Sequence, residues 1–247
     1  MERVFIDPVF SDELNHEFEI ACRLTDEAIQ LFVNEIHAGM TELELNEIIL
    51  GAIDSVTKDC APEDNAGKSF LILESGARTA LLHGRATDKV IEKGDFVTVD
   101  FGVRYRDGYA DMTRTFVVGK ATEEQRFIYE TVLKAYCAAR FSVHAGMTGV
   151  EADAVARKVI ADAGYGPYFI HSLGHGLLPN SKHGADIEIW LAPEAGDYRM
   201  KKGELFTIEP GIYLPEKGGV RIEDTFIMEE NGPRPLFTFT KELLELD

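Results

Sequence analysis

Apolar residues recur at three- and four-residue steps near the start of the chain. Leu14, Phe18, Ala21, Leu24, Ala28, Phe32 and Ile36 fall on one helical face. The spacing predicts a long helix from an N-cap at Ser11 to about Ile36, closed by Gly39. Thr41-Glu-Leu-Glu44 is a capping box for a second helix, whose stripe is Leu45, Ile48, Ile49, Ala52, Ile53 and Val56. The period then changes. Residues 58–68 read as polar loop, Ser69 to Glu74 as a strand, and the segment to Asp88 as a loop carrying His83. From Lys93 to Val117, KGDFVTVDFGVRYRDGYADMTRTFV has the pattern of a β-hairpin, with a turn at Arg106-Asp107-Gly108. Thr122-Glu-Glu-Gln125 caps a third helix running to about Phe141.

The chain repeats itself. Residues 202–213, KGELFTIEPGIY, lay over KGDFVTVDFGVRY, so that Lys-Gly-acid, Thr-apolar-acid and the later Gly coincide, the closing Tyr comes one residue later in the first copy, and Asp100 falls on Glu209. The segment of Asp111 and Thr113 has its counterpart in RIEDTFIM, with Glu223 and Thr225. His37-Ala38-Gly39-Met40-Thr41 returns as His144-Ala145-Gly146-Met147-Thr148, each time between a long helix and a short one. The offsets, 107 residues from His37 to His144 and 109 from Asp100 to Glu209, nearly agree. We therefore expect an internal duplication, roughly 12–118 and 122–230, whose halves pack about a pseudo-twofold axis and bring one acid pair each to the centre. A helical solenoid fits poorly, because the two units contain strands. Two separate domains would leave each acid pair with nothing to bind.

At 247 residues the chain is long enough to bury roughly three quarters of its extended surface. Its 25 basic against 43 acidic residues, a formal charge of −18, argue against nucleic acid or an anionic membrane as partner. Cys22, Cys60 and Cys137 are isolated, which suggests neither a disulfide framework nor a thiolate metal site and makes a reducing compartment the default. No apolar run approaches 18 residues, and MERVFIDPVF is too short and polar for a secretory signal.

Asp100, Asp111, Glu209 and Glu223 lie inside apolar strand patterns, where carboxylates are costly unless compensated. Four acids at matched positions of a repeat call for cation. An oxygen-rich set suits hard or borderline divalent ions, and one added imidazole shifts the choice toward Mn, Co, Fe or Zn. In a hairpin with a two-residue turn at Asp107-Gly108, Asp100 and Asp111 would stand about 13 Å apart along the strands, too far to share an ion. A longer loop or a bulge near Arg104–Asp107 is therefore expected. The imidazole has a candidate in SLGHGLLPNSKHG, where His175 lies between two glycines and His171 and His183 stand nearby. His83 is a further candidate. His37 and His144 are explained by their places at helix ends, and His16 as a solvated helix residue. No GxSxG elbow, phosphate loop or HExxH helix is present, and KGGV at 217–220 reads as a turn between strands.

Together these motifs resemble the pita-bread metallopeptidases: methionine aminopeptidases, Xaa-Pro aminopeptidases, prolidases and creatinases. The resemblance runs from the first helix to FTFT near the end. It implies an α+β pita-bread fold, with two pseudo-twofold-related halves of helices packed on a curved, mostly antiparallel sheet, as a single catalytic domain over 1–247. It implies that Asp100, Asp111, His175, Glu209 and Glu223 ligate two divalent metal ions, manganese first and cobalt, zinc or iron next, with Asp111 and Glu223 bridging. His83, His171 and His183 would contact substrate and the tetrahedral intermediate, Glu209 would shuttle the proton, and Arg221 would orient the carboxylates. HGRATDKVIEKGD, GYADMTRTF and EPGIYLPEKGGVRIED are most similar to the Xaa-Pro branch. The implied activity is removal of an N-terminal residue from short peptides by a metal-bridging hydroxide, in the cytoplasm, and a homodimer is compatible with it. Methionine aminopeptidase is the second expectation. A non-catalytic peptide-binding module is the third, and a creatinase-type hydrolase stands behind it. Two departures stand out. The Xaa-Pro enzymes usually carry a preceding domain, whereas this chain starts almost directly at the catalytic one. After GHG the sequence reads LLPNSKHGADIEIW, with His183 shifted.

Overall fold

In a computed structural model, residues 12–178 and 190–247 are described. Helices α1 (Asp12–Val33) and α2 (Glu42–Thr57) lie against a sheet whose order is β1 (Gly67–Ser75), β2 (Phe96–Tyr105), β4 (Met112–Val118) and β12 (Glu245–Leu246), with the short β3 (Gly108–Tyr109) also on β2. Helices α3 (Glu123–Ser142) and α4 (Gly149–Asp162) follow. Then come β5 (Gly174–His175), β6 (Trp190–Leu191), β7 (Leu205–Ile208), β8 (Gly211–Leu214), β9 (Gly218–Arg221), β10 (Asp224–Glu229) and β11 (Gly232–Pro235). The strands pair as β11-β10-β7, β5-β6 and β8-β9, all antiparallel. The parallel pairing is β4 with β12. Among the described residues, no helix is long and apolar enough to cross a membrane.

Each helix pair has its own core. The predicted face of α1 is buried from Phe18 to Phe32, with Leu14 half-buried, and it packs with Leu45, Ile49 and Ile53 against Val97, Val99, Phe101 and Val118. The α1 helix ends at Val33, earlier than the periodicity predicts. Ile36 still enters the core from the turn that follows, so the apolar rhythm outlasts the helix. The expected Ser11 cap lies outside the described residues. Ile128, Val132, Tyr136, Ala152, Ala156 and Ile160 of α3 and α4 pack against Phe206, Ile208, Val220 and Phe226.

The same local device joins the helices at both copies of the repeated pentapeptide. His37 and His144 each place Nδ1 on the next residue's carbonyl, at 3.0 and 2.9 Å. Thr41 and Thr148 each cap the following helix in a reciprocal box with Glu44 and Glu151. The backbones of Gly39 and Gly146 bond to Ile91 and Met200, each just ahead of an acid-bearing strand.

The hairpin differs from expectation in one instructive way. Its turn is Arg106-Asp107, flanked by the pair Tyr105 and Gly108, and neither a longer loop nor an extra residue is present. Arg104 opposes Tyr109 and Phe101 opposes Met112, so the register is the same on both sides of the gap at Ala110-Asp111. Moving the turn back by one residue slides the partner strand by two. Asp111 then lies across from Gly102, and Asp100 and Asp111 become diagonal neighbours on one face, the spacing at which side chains still meet. Gly108, the first residue of β3, lies hard against the backbone of α1: a Cβ there would meet Phe18 N at 2.7 Å. KGGV is likewise corrected. Gly218 to Val220 belong to β9, and the two glycines lie against Gly76 and Thr79, where a Cβ would clash.

Candidate metal centre

Asp100 is central in β2, Asp111 occupies the gap before β4, His175 ends β5, Glu209 follows β7, and Glu223 joins β9 to β10. These separate elements converge. His175 Nε2 is 3.4 Å from Asp111 Oδ2 and 3.5 Å from Glu209 Oε1. One ligand atom each from Asp111, His175 and Glu223 lie within 4.8 Å of one another. The charge of Asp100 acts on both Glu209 and Glu223.

Each of these side chains is held by others. Arg221 donates from Nη2 to Asp100 Oδ2 at 2.8 Å and from Nε to Thr113 Oγ1 at 2.9 Å. Thr113 Oγ1 in turn donates to Glu223 Oε2 at 2.6 Å. Thr207 Oγ1 donates to Glu209 Oε1 at 3.2 Å and accepts from the His175 backbone at 3.1 Å. The Asp111 backbone bonds both ways with Thr225 Oγ1, which is what interrupts the hairpin ladder. His175 Nδ1 lies 3.1 Å from the Gly176 carbonyl, so the proton sits there and Nε2 turns to the acids. Behind the site, Arg114 donates to the carbonyls of Thr113 and Glu223 and to Asp224, which also takes Tyr136 and Lys241.

The electrostatics favour a cation. Burial raises the pKa of Glu209, and the charges of Asp111 and Asp100 add to it against the pull of His175 and Arg221. Burial also holds Glu223 well above the carboxylate range, with repulsion from Asp111, Glu209 and Asp100 behind it. Carboxylates that resist ionisation because they are buried and face one another, with one imidazole nitrogen beside them, are a donor set that suits divalent metal ions.

Of the predicted histidines, His83 is exposed in the loop after Ala80. His171 is half-buried with both ring nitrogens engaged. Nδ1 donates to Ser172 O at 2.7 Å, and Nε2 accepts from the Tyr213 hydroxyl at 2.8 Å. Burial, with the nearby Arg221 charge, lowers its pKa to about 3. His183 lies outside the described residues. Tyr213 was not foreseen as a site residue. It takes Arg221 Nη1 at 3.0 Å and so links Asp100, Arg221 and His171 into one chain. The signals for such residues were in the repeat, which paired Thr98 with Thr207 and Thr113 with Thr225 and set Tyr213 one residue from the place of Tyr105.

Comparison with known proteins agrees with this geometry. The sequence profile of metallopeptidase family M24 matches residues 16–230. An Xaa-Pro dipeptidase of Pyrococcus furiosus is 42% identical, with 97% of this chain and 68% of that protein covered. Among solved structures, an Xaa-Pro dipeptidase from Bacillus anthracis superposes with a TM-score of 0.86 at 38% identity, over 96% of this chain and 63% of the other. An X-Pro aminopeptidase from Thermotoga maritima gives 0.86 at 34%, over 96% and 63%. The chain thus spans about two thirds of the length of these relatives. Its helices on mostly antiparallel strands have the pita-bread architecture, and the chain is a member of metallopeptidase family M24.

Proposed function

We propose that the protein hydrolyses the first peptide bond of short Xaa-Pro peptides, with two divalent cations held by Asp100, Asp111, His175, Glu209 and Glu223. The observation that carries this reading is the convergence of Asp111, His175, Glu209 and Glu223 from four separate elements, with burial, and behind it repulsion from the neighbouring acids, raising the pKa of the two glutamates. When bound, such a pair of cations supplies Lewis acidity and brings the pKa of coordinated water from 15.7 toward about 7. Manganese is our first choice, with cobalt, zinc and iron as alternatives. The names of the relatives favour the Xaa-Pro substrate over the methionine aminopeptidase alternative.

The chain's own residues divide the remaining work. The side chain of Glu209 is 14% exposed, against 1% for Asp111 and 2% for Glu223, so it is the acid with access to substrate. That access suits Glu209 Oε to take the nucleophile's proton and pass it to the leaving amine. Arg221 and Thr113 fix the directions of Asp100 and Glu223 without contacting substrate. The substrate's free amine is attracted to the acidic cluster. His83 would contact the peptide, and His171, kept neutral by burial and gripped by Tyr213 and Ser172, would form a fixed wall. We assign the protein to the cytoplasm, in keeping with its three free cysteines. The matched helix-end devices support reading 12–118 and 122–230 as duplicated halves of one catalytic domain.

The test compares chelated with manganese-reconstituted protein on Xaa-Pro dipeptides and tripeptides, with Met-Ala-Ser as the competing substrate. Hydrolysis of the proline peptides only in the presence of metal is expected. Equal rates in both states would end the proposal, and a preference for Met-Ala-Ser would transfer it to the methionine branch.

A further inference from the structure

One more buried carboxylate lies on the site-facing side of β1. Glu74 opposes Thr98 across the β1–β2 ladder, and Thr98 is two residues from Asp100, so all three share a face. It is 2% exposed. A carboxylate is expensive at such a position, where an apolar residue would cost nothing. Burial raises its pKa to about 7, and the Gly84 N–H works in the opposite direction by bonding to the charged form. The other charges acting on it are Arg221, Arg78 and Glu42. Among the described residues Oε1 itself has no hydrogen-bond partner, side chain or backbone.

What the carboxylate does touch is the loop that carries His83. Gly84 lies directly on it: a Cβ at that position would fall 1.9 Å from Oε1. The base of the same loop is held by a different acid. Glu42 accepts from the Ser75 backbone and hydroxyl, from Arg78 Nε, and from the Thr87 backbone and hydroxyl, all between 2.7 and 3.2 Å. Arg78 also donates to Arg85 O at 2.6 Å. Glu42 thus closes the loop, and Glu74 sits beneath its tip, next in sequence to His83. That tip is near enough to the site for the charge of His83 to act on His171.

We propose that Glu74 is a positioning residue for His83, holding the loop against the site through the Gly84 amide. The kinetic part of this rests on the peptidase reading; the positioning part does not. The test uses the full chain loaded with manganese, with Glu74→Leu to remove the acceptor and Glu74→Gln to keep one. Hydrogen exchange reads the loop directly. Glu74→Leu should speed exchange of the Gly84 amide at least about tenfold, the loss of one charge-assisted bond, while amides of Val97 to Val99 keep their protection. Glu74→Gln should restore most of it. On an Xaa-Pro dipeptide, Glu74→Leu should lower kcat about tenfold with KM little changed, and the loss should vanish in a His83→Ala background. Unchanged Gly84 exchange in Glu74→Leu, or losses that add to those of His83→Ala, would overturn the proposal. If the wild type hydrolyses no peptide, the peptidase reading fails while the exchange experiment still decides the role of Glu74.

Discussion

The chain from Asp100 through Arg221 and Tyr213 ends on a histidine that the fold keeps neutral, and this has a measurable consequence for stability. His171 titrates near 3 in the folded protein and near 6.5 in an unfolded chain. Between those values the unfolded state binds a proton that the folded state refuses, so stability falls as the pH is lowered. Above about 6.5 both states are neutral and the contribution is fully present. Lowering the pH from 7.5 to 5.0 should therefore cost about 2 kcal/mol through this residue alone, from ~1.4 kcal/mol per pH unit over the interval below 6.5. The perturbation is His171→Gln, which removes the titration and keeps an acceptor for Tyr213. Urea denaturation in the presence of chelator, at pH 7.5 and 5.0, gives the stability of each protein. Other groups also titrate, but they are common to both, so the difference isolates His171. The wild type should lose about 2 kcal/mol more than the variant. Equal losses would refute the account, because His171 would then protonate as readily in the fold as outside it.

Other expectations follow from the same contacts. Arg221→Ala removes the donor to Asp100 and Thr113 and should weaken metal binding about 10–100-fold, read by titration of the chelated protein with manganese. Glu209→Gln should largely abolish turnover while the fold, read by circular dichroism, survives; retained activity would remove its role as proton carrier. Asp224→Asn leaves Arg114 buried without its charge partner and should destabilise by about 3–5 kcal/mol in urea melts, whereas a change under about 1 kcal/mol would show that the ion pair is dispensable. Gly102→Ala would place a Cβ 1.7 Å from the Ala110 carbonyl, so backbone beside Asp111 must move. Lower thermal stability and weaker manganese binding are expected together.

Much of the site was legible because the chemistry is written twice. Asp100, Asp111, Glu209 and Glu223 stood out as acids in apolar strand patterns, and the repeat paired them. Their orienting partners were harder to read. Thr113, Thr207 and Tyr213 are ordinary residues for a strand, and only a fold that brings β4, β7, β8 and β9 together makes the two threonines donors to Glu223 and Glu209 and sets Tyr213 between Arg221 and His171. Glu74 gave no signal, since its place under the loop depends on the register of β1 with β2. The longer loop or bulge expected near Arg104–Asp107 is absent, because the tight turn falls at Arg106-Asp107 and already brings Asp111 across from Gly102.

The sequence by itself determined the helices, their caps and the inventory of acids, because periodicity and capping are local and a carboxylate in an apolar run is conspicuous wherever it lies. The tertiary structure alone decided the distances between those acids. A two-residue slip in strand pairing separates Asp100 from Asp111 or makes them neighbours, and that register is a property of the folded sheet, in which Gly108 lies hard against the backbone of α1. Local sequence specifies what each strand offers. The energy of burying the strands together specifies which offers meet.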